Sequence, residues 1–259
     1  MTDLNIKLDK LFDEWKTSIE EDNGADFFFT RDGLVYKNDQ TIEETDHRWK
    51  NSEKRIMFIL KDQPSVGADD DARMWLRSSV MDSEKNAKQK EDNRALKSVF
   101  LRNIARLFWG LFNSNKDWLC WFDEAKIGDL TKIVNEEPFA FVESKKIQGG
   151  TCITDKELTE HLKNYSHFLS REIDILNPNI VVCMGQPVFD AVLKIFEGKG
   201  ILTKKFKNLY VYDEEKSNVV IMYAGHPSSR CSERELYDGA MEWYRYYIDP
   251  QYAKDCKII

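Results

Sequence analysis

Cysteine and histidine are both scarce in these 259 residues. The five cysteines, Cys120, Cys152, Cys183, Cys231 and Cys256, are far apart, odd in number and form no CxxC. That pattern argues against a disulfide framework, a zinc knuckle and a cysteine-ligated cluster. With only His47, His161, His167 and His226, there is little material for a histidine-rich metal site. No apolar run approaches the roughly 20 residues a membrane helix needs. The opening MTDLNIKLDK lacks the basic start and apolar stretch of a signal peptide. An excess of positive charge is missing as well: 38 Lys and Arg against 45 Asp and Glu leave a formal charge of −7. This excludes a broadly cationic nucleic-acid coat. A small basic groove on an acidic protein stays open, because binding follows the local field. The expectations are a cytoplasmic protein, monomeric, with no membrane, no metal and no cofactor.

What the chain does have is material for a core. Hydrophobic residues make up 42% and aromatics 12%, far above a disordered composition. Residues 4–20 read as an amphipathic helix, with Leu4, Leu8, Leu11, Phe12, Trp15 and Ile19 on one stripe. Asn23-Gly24 and Asp32-Gly33 punctuate a loop or short hairpin. The run 56–60 (IMFIL) reads as a short buried strand leading into Lys61-Asp62-Gln63-Pro64. The polar stretch to about residue 93 holds Asp69, Asp70 and Asp71 and the apolar patch Met74, Trp75 and Leu76. It reads as a long loop with helical pieces, and loops of that length are usually functional or mobile. A helix follows, with Leu96, Val99, Phe100, Ile104, Leu107, Phe108 and Leu111 spaced by three and four; Trp118, Trp121 and Phe122 read as further core.

A second strand, 139–142 (FAFV), ends at Glu143-Ser144-Lys145-Lys146 and then Gly149-Gly150. Thr154 and Glu157 form a capping box before a long helix, which Asn177-Pro178-Asn179 stops. Strand 180–184 (IVVCM) turns through Gly185-Gln186-Pro187 into another helix, with the proline in its first turn. Two strands around 209–212 and 219–223 come next, the second ending at Gly225-His226-Pro227-Ser228-Ser229-Arg230. Residues 232–248 close the chain as an aromatic-rich helix. Short apolar strands alternating with helices predict an α/β domain with a largely parallel sheet. With no Pro-, Gly- or Ser-rich linker, residues 1–259 are expected to form one domain, of which 1–50 are a helical extension.

Ligands of open parallel sheets bind beyond the carboxyl ends of the strands. Segments 61–64, 143–146, 185–186 and 225–230 leave such ends. They carry the carboxylates Asp62 and Glu143, the basic Lys145, Lys146 and Arg230, and His226. Each feature also has an ordinary reading. Asp62 suits a turn or a helix cap, His226-Pro227 a simple turn, and Lys145-Lys146 a solvated loop. Asp69, Asp70 and Asp71 read as a solvated acidic face, because carboxylates without spaced partners are weak evidence for metal. Trp75 beside Leu76 reads as core. Gly149-Gly150 reads as a turn rather than a phosphate cradle, since no Lys-Ser/Thr follows.

Taken in order, these segments resemble the uracil-DNA glycosylase superfamily. Its members carry a first motif after the opening strand, written GQDPY, GEAPG or GMNPG in different branches, and a second, HPS, after the last strand. Phe58-Ile59-Leu60-Lys61-Asp62-Gln63-Pro64 is similar to the first, and Gly225-His226-Pro227-Ser228-Ser229-Arg230 to the second. Between them, Asn177-Pro178-Asn179, strand 180–184 and Gly185 resemble the family's PKVIVALG segment. The resemblance spans roughly residues 55–245 and identifies the chain as a member of a divergent branch. Lys61 stands for the motif's glycine, Gln63 for the GQDPY aspartate, and Asp62 where GEAPG has its glutamate. Glu143 stands where the base-reading asparagine is expected, and the GEAPG cluster cysteines are absent.

The resemblance implies a three-layer αβα fold around a central, mostly parallel sheet of four to five strands. It also implies a DNA glycosylase-like hydrolase that cleaves the N-glycosidic bond of a deaminated or modified base flipped out of DNA. In that reading Asp62 serves the sugar, His226 the departing base, and Gln63 is a further catalytic and base-binding candidate. Glu143 faces the base. Ser228, Ser229 and Arg230, with Lys145, Lys146 and Gln186 at a helix N-terminus, contact DNA phosphates. An ionised Glu143 can only accept hydrogen bonds, so uracil is expected to be a poor substrate, improved by Glu143→Asn. Desolvation that keeps Glu143 protonated would instead permit uracil, and pairing with Lys145 or Lys146 outside the pocket is the third possibility. A non-catalytic nucleic-acid- or nucleotide-binding protein on the same fold, and a hydrolase of small nucleosides, are the alternatives to a glycosylase.

Overall fold

The computed structural model describes residues 3–35, 41–64, 66–73, 96, 98–149, 153–213 and 218–257. Among them, seven strands form one sheet in the order β2-β5-β3-β6-β9-β8-β7. These are β2 (Gly33–Leu34), β3 (Ile56–Pro64), β5 (Ala140–Gly149), β6 (Ile180–Met184), β7 (Leu202–Phe206), β8 (Leu209–Asp213) and β9 (Asn218–Ala224). The central four, β5-β3-β6-β9, are parallel; β2 joins one edge and β8 and β7 the other, all antiparallel. The sheet is thus wider than the four to five strands expected. The missing members are β2, too short to carry a pattern, and β7, whose Lys204 and Lys205 are exposed on an edge. A separate pair, β1 (Thr30–Arg31) and β4 (Asp70–Asp71), lies apart from the main sheet.

Alternation along the strands divides the core in two. Phe58, Phe141, Val182 and Met222 face α3 (Val99–Asn113), α4 (Ile127–Glu136) and α7 (Glu233–Ile248). Ile59, Val142, Cys183 and Ile221 face α1 (Asp3–Asn23), α5 (Asp155–Leu176) and α6 (Gln186–Glu197). This is the three-layer α/β arrangement. α2 (Ile42–Asn51) is tied in by Trp49, whose Nε1 donates to the Leu176 carbonyl at 2.8 Å. α8 (Pro250–Asp255) is the last helix among the described residues. The helix expected over 4–20 forms as α1, and its predicted stripe is buried. α4, ten residues long, went unread in the sequence. The capping box of Thr154 and Glu157 forms at the start of α5, and Asn177 closes it in the left-handed conformation at φ 48°.

Three expectations are corrected. Trp118 and Trp121 are not core: they are 48% and 42% exposed. The aspartates of 69–71 are more than a solvated face, although Asp69 is exposed. Asp69 accepts from the Phe29 N–H at 2.7 Å, Asp70 accepts from Gln63, and Asp71 pairs with Arg73, so the run fastens the small sheet. The N-terminal 50 residues are more than a helical extension of the sheet's packing, since β2 is one of its strands. The patch Met74, Trp75 and Leu76, together with Gly150, lies outside the described residues.

Candidate active site

The strands leading to the site run further than their apolar cores suggest. β3 continues through Lys61, Asp62 and Gln63, and β5 through Glu143, Lys145 and Lys146, with Leu60 opposite Glu143 and Asp62 opposite Lys145. Residues expected on loops therefore alternate between faces of the sheet. Lys146 falls on the α1–α5 side and is fully buried. Its ammonium is ion-paired with Asp32 at 2.5 Å and Glu172 at 2.9 Å, and lies over the rings of Phe12 and Trp15. The expected phosphate contact by Lys146 is thereby corrected: the side chain cannot reach a phosphate. Burial opposes its charge, but Asp32 and Glu172 outweigh that and hold the ammonium above its ordinary range.

Asp62 is the carboxylate at the end of β3. Its side chain is about nine-tenths buried, and its Oδ2 has no hydrogen-bond partner among the described residues, with the Lys145 ammonium 3.6 Å away. Burial pushes its pKa up, while Lys145 and Lys61 oppose the shift. The backbone of Gly149 lies against this carboxylate: a Cβ there would sit 2.3 Å from Oδ2. Lys61, in place of the motif's glycine, crosses Gly185, where a Cβ would be 3.1 Å from its Cε, and ends on Asp155 at 2.8 Å. Gly185 is held at φ +126°, which a residue with a side chain adopts only with strain. The Lys61 charge bears on both Asp62 and His226.

Glu143 is one strand away on β5 and is 4% exposed. Its backbone N–H donates to Asp32 Oδ2 at 2.7 Å, and its own Oε2 has no hydrogen-bond partner among the described residues. Pairing with Lys145 or Lys146 outside a pocket does not occur, because those ammonium groups go to Asp62 and to Asp32 and Glu172. Burial, then the charge of Asp32, pushes the Glu143 carboxyl up to about 8 against the pull of Lys146. Nearby on α5, burial and then Lys145 and Lys146 push His161 down to about 3.

His226 follows β9, two strands from β3 and so about 10 Å away at the backbone. Its Nδ1 accepts from the Ser228 N–H at 3.2 Å, which leaves the ring proton on Nε2. Burial, then Lys61, lowers its pKa and favours the neutral ring. The loop is anchored from below: Asn103 on α3 donates to the Pro227 carbonyl at 2.7 Å. Ser229 N–H donates to the His226 carbonyl at 2.8 Å, and Ser228 and Arg230 are exposed. Gln186 is exposed at the first residue of α6 and bonds Asp190 at 2.8 Å. Gln63 does not stand free beside Asp62: its Nε2 donates to Asp70 at 2.7 Å, fastening β3 to β4. Among the described residues no group of three or more His, Cys, Asp or Glu side chains is arranged to hold a metal ion.

Two supporting residues escaped sequence reasoning, Asp32 and Asn103. Asp32 stood out only as part of an Asp-Gly turn, and Asn103 carried no local signal. Their roles arise from pairing across 111 and 124 residues.

Asp62, Glu143 and His226 thus lie at the carboxyl ends of the parallel strands β3, β5 and β9, where open α/β sheets bind their ligands. The profile of the uracil DNA glycosylase superfamily matches residues 53–245, and the chain belongs to that family. Membership makes it a DNA glycosylase-like protein, in a family of hydrolytic enzymes that act on DNA. No curated protein matches the chain. No helix among the described residues is long and apolar enough to cross a membrane.

Proposed function

We propose that the protein hydrolyses the N-glycosidic bond of a deaminated base flipped out of DNA. One observation carries the reading: Glu143 is a fully buried carboxyl, pushed up to about 8, with an oxygen lacking a hydrogen-bond partner among the described residues. Buried polar atoms are rarely left unpaired, and a ligand is one way to satisfy them. At neutral pH such a group is largely protonated. It then offers one O–H donor and one carbonyl acceptor. That pair complements a ring C=O beside a ring N–H, the edge shared by uracil, hypoxanthine and xanthine. Of the alternatives for Glu143, the protonated one is favoured, so uracil belongs among the expected substrates and the expectation that it is a poor one is withdrawn.

Cleavage builds positive charge on the sugar and negative charge on the base. Asp62, ionised, stabilises the first and orients the attacking water. His226, neutral with its proton on Nε2, donates to the base oxygen as charge develops. Gln63 acts by holding the end of β3 rather than by touching the base. Ser228, Ser229 and Arg230 grip the phosphates, with Lys145 and Gln186 at the margin. Residues 1–259 act together in this reading, because Asp32 holds the strand that bears Glu143.

The test is base release from oligonucleotides that each carry one lesion. Wild type is expected to release deaminated bases and spare bases whose reading edge is an amino group. Asp62→Asn is expected to lose release with DNA affinity nearly intact, and His226→Ala to lose about 100-fold or more in rate. Binding without release of any base would overturn the reading in favour of a non-catalytic binder. Activity on free nucleosides alone would overturn it in favour of a nucleoside hydrolase.

A further inference from the structure

A fully buried ionic cluster lies between the sheet and the α1–α5 layer. Asp32, Lys146 and Glu172 have no exposed surface. Lys146 is 2.5 Å from Asp32 and 2.9 Å from Glu172. Burying such a group is costly, and replacing it with apolar residues is often neutral or stabilising, so stability alone is a weak reason for it. The cluster also has a directed contact. The second oxygen of Asp32 accepts the N–H of Glu143 at 2.7 Å. Asp32 comes from the link between β1 and β2, outside the segment matched by the family, so the support for this side chain is supplied by the N-terminal part of the chain.

We propose that Asp32 is a positioning residue that acts through Glu143, its carboxylate holding the Glu143 main chain by the N–H bond and so fixing a negative charge next to that residue. The inference rests on Glu143 being the base-facing group. The charged groups bearing on Glu143 are Asp32 from the β1–β2 link, Lys146 from β5 and Asp62 from β3. Asp32 and Asp62 favour the protonated carboxyl, Lys146 opposes it, and burial adds to the first two. Lys146 in turn holds Asp32: its ammonium bonds the carboxylate oxygen not used by Glu143, and Glu172 pairs with the same ammonium. A donor carboxyl is active when protonated, so activity falls as pH rises through the midpoint of Glu143. Removing the charge of Asp32 moves that falling limb to lower pH.

Asp32→Asn is the discriminating variant, because asparagine can keep an acceptor for the Glu143 N–H while losing the charge and, with its amide nitrogen toward Lys146, the ion pair. The experiment follows the Glu143 carboxyl by carbon-13 NMR titration in DNA-free protein, with Glu143→Gln to assign the signal. The pH profile of base release is measured in parallel. Wild type is expected to titrate near 8. Asp32→Asn is expected to titrate lower, and release on the alkaline side to fall about tenfold for every pH unit by which the midpoint drops. Asp32→Glu is expected to restore the midpoint. Should Asp32→Asn fail to fold, Asp32→Ser keeps a hydroxyl acceptor for the Glu143 N–H, removes the charge and leaves the Lys146–Glu172 pair in place. The midpoint is still expected to fall, since the charge of Asp32 is gone while the Lys146 ammonium, which favours the ionised carboxyl, is kept. An unchanged or raised midpoint in the folded variant would overturn the inference. A lowered midpoint in a protein that releases no base would uphold Asp32's action on Glu143 and overturn the glycosylase reading instead.

Discussion

Asp62 depends on what its neighbours lack. Its carboxylate fits because Gly149 has no side chain; a Cβ 2.3 Å away would overlap it. Gly149→Ala should therefore swing Asp62 out of place without touching the substrate. A misplacement of about 1 Å can cost about 100-fold in rate. The expected outcome is a loss of that order in single-turnover base release, with DNA affinity retained. Release at the wild-type rate would mean that Asp62 does no chemistry from this position. The same carboxylate illustrates how a residue's setting changes its meaning. In the sequence Asp62 is compatible with a turn; in the strand it is a largely buried acid whose pKa burial raises against the pull of Lys145 and Lys61.

At the scale of elements, the site is held by parts of the chain that carry none of its chemistry. α3 supports the His226 loop through Asn103, whose amide donates to the Pro227 carbonyl. α7 continues that loop under a capping box in which Ser232 accepts from the Glu235 N–H and Glu235 returns the bond. Asn103→Ala leaves a buried carbonyl unpaired, which costs about 1–3 kcal/mol. It should lower stability by that amount in urea denaturation and slow base release, because His226 loses its fixed distance from Asp62. Unaltered kinetics in a destabilised Asn103→Ala protein would mean that the loop holds its geometry unaided.

Across the whole molecule, a formal charge of −7 has to coexist with DNA. Of the three basic residues expected to meet phosphates, Lys146 is buried and Lys145 is engaged with Asp62. Arg230 is the exposed one, on the loop after His226. One phosphate contact contributes roughly 0.9 to the slope of log K against log salt on duplex DNA. Arg230→Ala should flatten that slope by about this amount, equally for lesion-bearing and undamaged duplex, in salt titrations of binding. An unchanged slope would place the DNA contact elsewhere on the protein.

The amphipathic stripe of α1, the capping box of α5, the buried runs of β3, β6 and β9 and the His-Pro-Ser segment were all legible in the sequence. Each rests on spacing within a few residues, where periodicity and side-chain chemistry act directly. Composition alone disfavoured a disulfide scaffold and a membrane helix. The extent of β3 and β5 was not legible, because their polar ends carry no apolar pattern and are held by strand pairing. That pairing decided the fates of adjacent residues: Glu143 and Lys145 go to one side of β5 and Lys146 to the other, where Asp32 and Glu172 bury it. The protonation of Glu143 is likewise a tertiary property. It follows from burial and from the charge of Asp32, 111 residues away in the chain and one hydrogen bond away in the fold.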